Sequence, residues 1–246
     1  MRTENEDRIL IDDSSSLFVV ADGMGGHSHG EVAAELALVT IRYYIESSRD
    51  CFDVTWPFGY NFAISLNENR LSTGIQLANR QVWRRSEQSP EYAGMGTTVA
   101  AVLVGEDKAA IAGVGDSRVY RFRDGELKQL TSDDTWVGAM IRQGTLDARE
   151  ALHHPMRNVL TQATGSRETI DVQTMENGLE SHDLLLLSSD GLHGVVEEAA
   201  VRSILGAEDS LERTAARLIE AARANGAPDN VSCILLRYTS QAGERA

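Results

Sequence analysis

Two short apolar runs on either side of a polar turn stand near the start of the chain. Residues 9–22, ILIDDSSSLFVVAD, place these runs on each side of residues 12–16. Apolar runs that are bounded by clusters of Asp and Ser are typical of β-strands joined by a turn. The segment therefore predicts two neighbouring strands, and the second of them ends on Asp22.

A helical period replaces this pattern over residues 30–47. Val32, Leu36, Val39 and Tyr43 fall at positions i, i+4, i+7 and i+11, which places them in one apolar stripe. This spacing is typical of an amphipathic helix, because residues three and four apart lie on the same helical face. We therefore expect a long helix directly after the first two strands.

The middle of the chain returns to strands. Residues 96–131 contain four successive strand-like runs, with turns predicted at residues 105–108, 115–116 and 124–125. The last of these turns is an Asp-Gly pair, which is a strong hairpin signal when strand-like runs flank it. The segment predicts four strands in succession.

The remaining segments alternate between helix and strand. Residues 183–192, DLLLLSSDGL, predict a buried strand that ends on an acid and a glycine. Residues 134–165 have the pattern of helix and loop, with a break near Pro155. Further helices are predicted over residues 63–86, 196–206 and 209–224, and a last strand over residues 230–238.

This order of elements indicates an α+β fold. Strands of the antiparallel type form sheets that leave one face free for helices. Two such sheets packed together, with helices on the outside, form a stable arrangement of layers. The sequence has 246 residues without a linker or an internal repeat, so we expect a single domain over residues 1–246 and a β-sandwich of two antiparallel sheets flanked by helices, in α-β-β-α layers.

Composition and charge argue against nucleic-acid binding, a membrane-spanning helix and a cysteine-based zinc or disulfide site. The formal net charge is −14, and such a surface repels a nucleic-acid backbone. No run of about 18 apolar residues occurs, so we expect no membrane-spanning helix, and the charged start MRTENEDRIL does not resemble a secretory signal. Cys51 and Cys233 lack the spacing of a zinc site or a disulfide framework. A cytoplasmic location is the expectation.

Carboxylates stand at the ends of five predicted strands. Any one of them is commonly a turn residue, because Asp favours turns. Several together would repel one another, and would need cations or raised pKa values to coexist. Hard oxygen ligands suit Mg²⁺ or Mn²⁺, but periodicity alone does not show that the five strand ends converge. The acids concerned are Glu6, Asp7, Asp22, Asp116, Asp190 and Asp229.

Six segments in order carry a resemblance to a known family. They are RTENEDR, VVADGMGGHSHGEVAA, GMGTTVAAVLV, GVGDSRVYRFRDGELKQLTSDDT, LLLLSSDGL and APDNVS. Together they resemble the metal-dependent serine/threonine protein phosphatases of type 2C, most closely the bacterial branch. The resemblance extends from Arg2 to about Tyr238. It implies a β-sandwich with a binuclear Mn²⁺ or Mg²⁺ centre in a cleft at one end.

The resemblance also implies a set of metal ligands. Asp22 resembles the acid that bridges both ions, and the carbonyl of Gly23 adds a ligand to one of them. Asp190 and Asp229 resemble the acids on the first ion, and Glu6 the acid on the second. A water or hydroxide that bridges the two ions then attacks the phosphorus of phosphoserine or phosphothreonine.

Further roles follow from the same resemblance. Arg2 resembles the arginine that binds the substrate phosphate, and Asp7 the acid that holds metal-bound water. Asp116 resembles a ligand of a third, weaker metal site in bacterial members. Asn230 is expected to orient the site through hydrogen bonds. His27 is the candidate for protonating the leaving oxygen, with a surface or helix-capping histidine as the alternative.

The chain departs from the family's pattern in several places. Met24 stands where many eukaryotic members have a histidine. Gly194 stands where a further acid usually follows the SDGL motif, so the third metal site is expected to be weak, and His193 is expected to be a loop histidine. Asp133 and Asp134 replace a common Asp-His pair and are expected to be turn and helix-cap residues.

The resemblance implies an enzyme whose substrates are phosphoserine and phosphothreonine proteins and which opposes a serine/threonine kinase. Residues 134–165 correspond to a variable flap beside the cleft. We expect a monomer without nucleic-acid or membrane partners. The alternatives are a phosphatase that acts on one phosphorylated partner, a catalytically weak or inactive type 2C-like module that binds phosphoproteins, and a structural domain stabilised by divalent cations.

Overall fold

A computed structural model describes residues 4–25, 29–49, 54–152, 154–207 and 209–240. Seven α-helices are present in these residues, and a short 3₁₀ turn spans Pro90–Tyr92. The helices are α1 (His29–Arg49), α2 (Leu66–Gln88), α3 (Trp136–Arg142), α4 (Ala148–Leu152), α5 (Asp190–His193), α6 (Glu198–Leu205) and α7 (Leu211–Ala224).

The strands of the described residues form two antiparallel sheets. The first sheet has the order β1-β2-β4-β5-β8, with β3 paired to β2, and the second has the order β10-β9-β6-β7. Their bounds are β1 (Asp7–Asp12), β2 (Leu17–Met24), β3 (Gly96–Thr97), β4 (Val99–Val104), β5 (Lys108–Val114), β6 (Arg118–Arg123), β7 (Glu126–Gln129), β8 (Gln173–Gly178), β9 (Leu184–Ser188) and β10 (Cys233–Arg237).

The layered α+β sandwich predicted from the sequence is confirmed. Alternate residues of the strands, such as Val20, Val102 and Leu187, fill the space between the two sheets. Helices α1 and α2 cover the outer face of the first sheet, and α5, α6 and α7 cover the second. Each sheet therefore buries both faces, which explains why several strands are apolar almost throughout.

The predicted turns divide into hairpins and one crossover. The turns after β1, after β4 and after β6 each join antiparallel neighbours in the same sheet. The turn at residues 115–117 instead leads from β5 in the first sheet to β6 in the second. This crossover carries Asp116 at the rim of the sandwich.

The buried face of α1 differs from the predicted apolar stripe. Val39 is 55% exposed and Tyr43 is 72% exposed. The core face instead consists of small and branched residues, among them Ala33, Ala37 and Ile41, all with no exposure. Alanine side chains allow the helix to lie close to the sheet, and Ile41 and Ile45 fill the core beside them, whereas Val39 and Tyr43 lie on the exposed face.

Strand β8 was not predicted. Its sequence, QTMENG, contains one apolar side chain and has no alternation of apolar and polar residues. It pairs with β5 at the end of the first sheet, where few of its side chains reach the core. Among the described residues, no helix is long and apolar enough to span a membrane.

Candidate metal centre

Asp7 and Asp22 lie side by side at one rim of the first sheet. They are Cα partners in the antiparallel ladder between β1 and β2. Asp7 is 3% exposed, and its Oδ2 accepts a hydrogen bond of 2.9 Å from the hydroxyl of Ser189. The same hydroxyl oxygen accepts a bond of 3.0 Å from the backbone N–H of Ser232. Ser189 therefore connects the first sheet to the end of the second.

The end of β9 and the start of β10 bring Asp190 and Asp229 to the same rim. These strands are neighbours in the second sheet, with Cys233 opposite Ser188. The backbones approach so closely beyond the ladder that a Cβ on Gly191 would lie 1.8 Å from the carbonyl oxygen of Asn230. The glycine of the DGL motif is thus required for this contact between the two segments.

Asp116 reaches the rim through the crossover between the sheets. Gly115 has a φ of +92°, and a Cβ there would lie 2.7 Å from Cγ2 of Thr98. The hydroxyl of Thr98 accepts a hydrogen bond of 3.0 Å from the backbone N–H of Asp22 and lies 2.6 Å from the hydroxyl of Ser117. These buried hydroxyls hold the crossover against the end of β2.

The electrostatics of Asp22 show that the acids from these segments form one cluster. Burial, followed by the charges of four other carboxylates, raises the pKa of Asp22 to about 10. The four carboxylates belong to Asp7, Asp190, Asp116 and Asp229. The convergence that periodicity could not establish is therefore present in the structure.

Two other acids of the cluster are also perturbed. Burial raises the pKa of Asp7, against the effect of hydrogen bonds from Ser232 and Ser189, and the charge of Asp229 raises it further. Burial and then the charge of Asp190 raise the pKa of Asp116 to about 7. Shifts of this kind arise where carboxylates are crowded away from water, as they are in functional sites.

Glu6 and Asn230 close the cluster on the side of the chain's first described residues. The backbone N–H of Gly30 donates to Oε1 of Glu6 at 3.2 Å. The N–H of Glu6 donates to Oδ1 of Asn230 at 3.1 Å, and Nδ2 of Asn230 donates to the carbonyl of Glu4 at 3.0 Å. Asn230 thus makes the kind of orienting hydrogen bonds expected from the sequence.

Gly23 packs against backbone atoms next to Asp22. A Cβ at this position would lie 2.2 Å from the carbonyl oxygen of Gly30 and 2.6 Å from that of Glu6. No side chain can be placed there without moving one of these backbones. Gly23 therefore allows the start of α1 and the segment before β1 to meet beside Asp22.

The residues of the cluster have the chemistry of a site for divalent cations. All of its side chains offer oxygen donors, which Mg²⁺ and Mn²⁺ prefer. Oδ1 of Asp7 is buried and has no hydrogen-bond partner in the described part of the chain. Across the same residues, no group of three or more His, Cys, Asp and Glu side chains has the spacing of a metal site. Crowded carboxylates repel one another, and a bound cation would offset this repulsion.

Three further residues were singled out from the sequence. Arg2 and His27 fall outside the residues that the structure describes. His193, expected in a loop, is the last residue of α5, and its Nδ1 lies 3.2 Å from the hydroxyl of Ser188. Burial, and then the charge of Arg118, lower the pKa of His193 well below its ordinary value, which favours the neutral imidazole.

Asp133 and Asp134 lie in the loop between β7 and α3, but the expectation that they cap the helix is wrong. Thr135 caps α3, because its hydroxyl accepts a hydrogen bond from the N–H of Gly138 at 3.1 Å. Asp133 instead forms a two-pronged ion pair with Arg118, and the shortest distance is 2.6 Å. Asp134 is buried and accepts hydrogen bonds from side chains distant in sequence, which the local pattern did not indicate.

The fold and the site define an α+β sandwich with a carboxylate centre of the cation-binding type at one rim. Comparison with known proteins then identifies its relatives. The chain belongs to the protein phosphatase 2C family, whose sequence model matches residues 2–235. It is 33% identical over 250 residues to the serine/threonine phosphatase stp of Listeria welshimeri, with 100% of this chain and 95% of that protein covered.

Solved structures agree with this assignment. The crystal structure of the Mycobacterium tuberculosis serine/threonine phosphatase PstP/Ppp superposes with a TM-score of 0.84 at 31% identity, over 97% of this chain and 94% of that chain. The catalytic domain of PstP in complex with two manganese ions gives a TM-score of 0.81 at 29% identity, over 97% and 94% of the two chains. The fold predicted from the sequence is the fold of these phosphatases.

Proposed function

We propose that this chain is an enzyme that hydrolyses phosphoserine and phosphothreonine in proteins and that it uses two Mn²⁺ or Mg²⁺ ions. The observation that carries the proposal is the position of Asp22, which is paired with Asp7 across β1 and β2. Burial, and then the charges of Asp7 and three further carboxylates, raise the pKa of Asp22 to about 10. Such a cluster costs stability unless a cation compensates its charge. Relatives of similar length are named serine/threonine phosphatases, and one related structure holds two manganese ions.

The cluster offers a ligand set for two ions and a weaker third. When bound, two such ions supply a water of lowered pKa for attack on phosphorus, together with positive charge for the phosphoryl oxygens. Asp116 would be a ligand of a third ion. This third site would be weak, because Gly194 offers no carboxylate. The residues proposed to hold the two ions are Glu6, Asp22, the carbonyl of Gly23, Asp190 and Asp229.

Asp7 is proposed to orient the attacking water. One of its carboxylate oxygens is fixed by the hydroxyl of Ser189, and the other is buried without a hydrogen-bond partner in the described residues. An acceptor held in this way can take a hydrogen bond from a water at the centre and align its lone pair. This role requires Asp7 to be ionised. Nearby positive charge would favour the ionised form and so counteract the effect of burial on its pKa.

Arg2 and His27 complete the proposed machinery from the sequence. The planar guanidinium of Arg2 would bind two phosphoryl oxygens of the substrate. His27 would donate a proton to the seryl or threonyl oxygen as the bond to phosphorus breaks. The chain is proposed to act as a cytoplasmic monomer on phosphoproteins and to oppose a serine/threonine kinase.

A panel of matched phosphopeptides tests this proposal. One peptide sequence would carry phosphoserine, phosphothreonine or phosphotyrosine at the same position, and phosphate release would be followed with Mn²⁺, with Mg²⁺ and with EDTA. We expect turnover of the first two peptides with either ion and none in EDTA. Turnover in EDTA would refute the metal-dependent mechanism. Tight binding of phosphopeptides without turnover would instead support a binding module.

A further inference from the structure

Asp134 is a buried carboxylate at the beginning of the flap, the segment of residues 134–165. It is 6% exposed. Its Oδ2 accepts hydrogen bonds from the backbone N–H of Gly115 at 3.1 Å and from Nε2 of Gln162 at 3.0 Å. Its Oδ1 accepts a bond of 2.7 Å from Nε2 of Gln173. One side chain thus joins the crossover, the end of the flap and strand β8.

The backbone of Asp134 strengthens the same connection. Its N–H donates to the carbonyl of Gly115 at 2.7 Å. Its carbonyl accepts bonds from the N–H of Thr161 at 2.7 Å and from the hydroxyl of Thr161 at 2.9 Å. The first and the last part of the flap are therefore fastened to each other and to Gly115.

Both ends of the flap continue to the carboxylate centre. Gly115 directly precedes Asp116. At the other end, Thr164 exchanges two backbone hydrogen bonds of 2.9 Å with Thr97, whose hydroxyl donates to the carbonyl of Asp22 at 2.9 Å. Loss of the hydrogen bonds at Asp134 would therefore change the position of the flap relative to Asp116 and Asp22.

Between these ends, the flap exposes apolar side chains. Ile141, Met156 and Val159 are 39%, 40% and 42% exposed. Exposed apolar side chains are suited to contact with a polypeptide. A small aryl phosphate has no peptide chain, and it extends beyond the phosphate by a single ring only.

We propose that Asp134 is a positioning residue that holds the flap at the carboxylate centre, so that the flap contributes to the binding of phosphoprotein substrates. This inference rests on the proposed phosphatase function. Asp134 itself touches neither the phosphate nor the ions in this account. It acts on the flap through Thr161 and Gln162, so its effect is expected to be larger for substrates that extend over the flap than for those that do not.

The substitution Asp134→Asn tests the proposal, because it keeps the shape and replaces one acceptor oxygen by an amide group that cannot accept. We expect the KM for a long phosphothreonine peptide to rise about fivefold or more. The KM and kcat for an aryl phosphate are expected to change less than about twofold. Amide hydrogen exchange should become faster at Gly115 and Thr161.

The matched control is Asp12→Asn. Asp12 is also 6% exposed and accepts hydrogen bonds from Ser14 and Ser15, but it is the last residue of β1, at the opposite end of this strand from Asp7. It should lower the melting temperature without changing the KM for the peptide. Gln162→Ala should reproduce part of the effect of Asp134→Asn, and the double variant should show less than the sum of the two.

Two results would overturn the inference. One is an unchanged peptide KM in Asp134→Asn together with unchanged hydrogen exchange at Gly115 and Thr161. The other is an equal loss with the peptide and with the aryl phosphate, since this would assign Asp134 to the chemistry or to the general stability. Absence of turnover in the unmodified chain would refute the proposed function instead, and hydrogen exchange would then still decide whether Asp134 fastens the flap.

Discussion

Asp7 and Asp22 face each other as Cα partners across two neighbouring strands, and burial raises the pKa of both carboxyl groups. Two adjacent carboxylates in this position repel each other and lose hydration. Packing alone gives no reason to place them there, since an apolar pair would stabilise the sheet. The pairing is explained when the two acids serve to compensate the charge of bound cations.

The substitution Asp22→Asn is expected to remove most of the stabilisation by Mn²⁺. An ion at one hundred times its dissociation constant adds about 2.7 kcal/mol to the free energy of unfolding. Without metal, the variant should melt at the same temperature as the unmodified chain or about 2–4 °C higher, because an uncompensated acid has been removed. Thermal unfolding with EDTA and with Mn²⁺ measures both effects.

Asp183→Asn is the control for this experiment. Asp183 is 1% exposed and forms an ion pair of 2.6 Å with Arg123, away from the carboxylate centre. Its loss should lower the melting temperature and leave the shift with Mn²⁺ intact. An undiminished shift in Asp22→Asn would contradict the assignment of Asp22 as a ligand.

Ser189→Ala is expected to weaken metal binding through Asp7. Its hydroxyl connects Oδ2 of Asp7 to the N–H of Ser232, and both partners are left without it in the variant. We expect a loss of about 1–3 kcal/mol in the free energy of unfolding and a several-fold higher Mn²⁺ concentration for half-maximal stabilisation. Ser48→Ala, which removes an equally buried hydroxyl within α1, should not change the Mn²⁺ requirement.

Gly191→Ala is expected to separate the segments that carry Asp190 and Asp229. The added Cβ would lie 1.8 Å from the carbonyl oxygen of Asn230, so one backbone must move. Overpacking of this kind costs about 1–3 kcal/mol or more. Gly178→Ala, where a Cβ meets no atom within 4 Å, should stay within about 0.5 kcal/mol. Urea unfolding compares the two, and equal effects would contradict the close approach.

Asp12 gives a prediction for acid conditions. Hydrogen bonds from Ser14 and Ser15 lower its pKa from 3.8 to about 2. A carboxyl group whose pKa is lower in the folded state stabilises the protein above about pH 4, and this stabilisation is lost as the pH falls towards 2. The difference in unfolding free energy between the unmodified chain and Asp12→Asn should therefore shrink between pH 6 and pH 3. A difference that stays constant over this range would refute the role of the charge.

The order of strands and helices could be predicted because most elements have a clear period. The exceptions have physical reasons. Strand β8 carries too few apolar residues to show alternation, since it lies at the end of a sheet. The sequence predicted that Val39 and Tyr43 lie on the buried face of α1, but both are exposed. Ala33, Ala37 and Ile41 form that face instead.

The candidate site was predictable in type and less so in detail. Acids at strand ends indicated Asp22, Asp190 and Asp229, and the family resemblance gave their roles. Their convergence depends on how two sheets pack, which no local period describes. The hydrogen bonds of Asp134 could not be predicted for the same reason, because its partners Gly115 and Gln173 are distant in sequence.

The most direct test of the central claim is phosphate release from an aryl phosphate by the unmodified chain and by Asp22→Asn, each with Mn²⁺ and with EDTA. We predict turnover by the unmodified chain with Mn²⁺, none with EDTA, and a loss of at least about a hundredfold in the variant. Equal turnover by the two proteins, or turnover that persists in EDTA, would contradict a metal-dependent hydrolase built on these carboxylates.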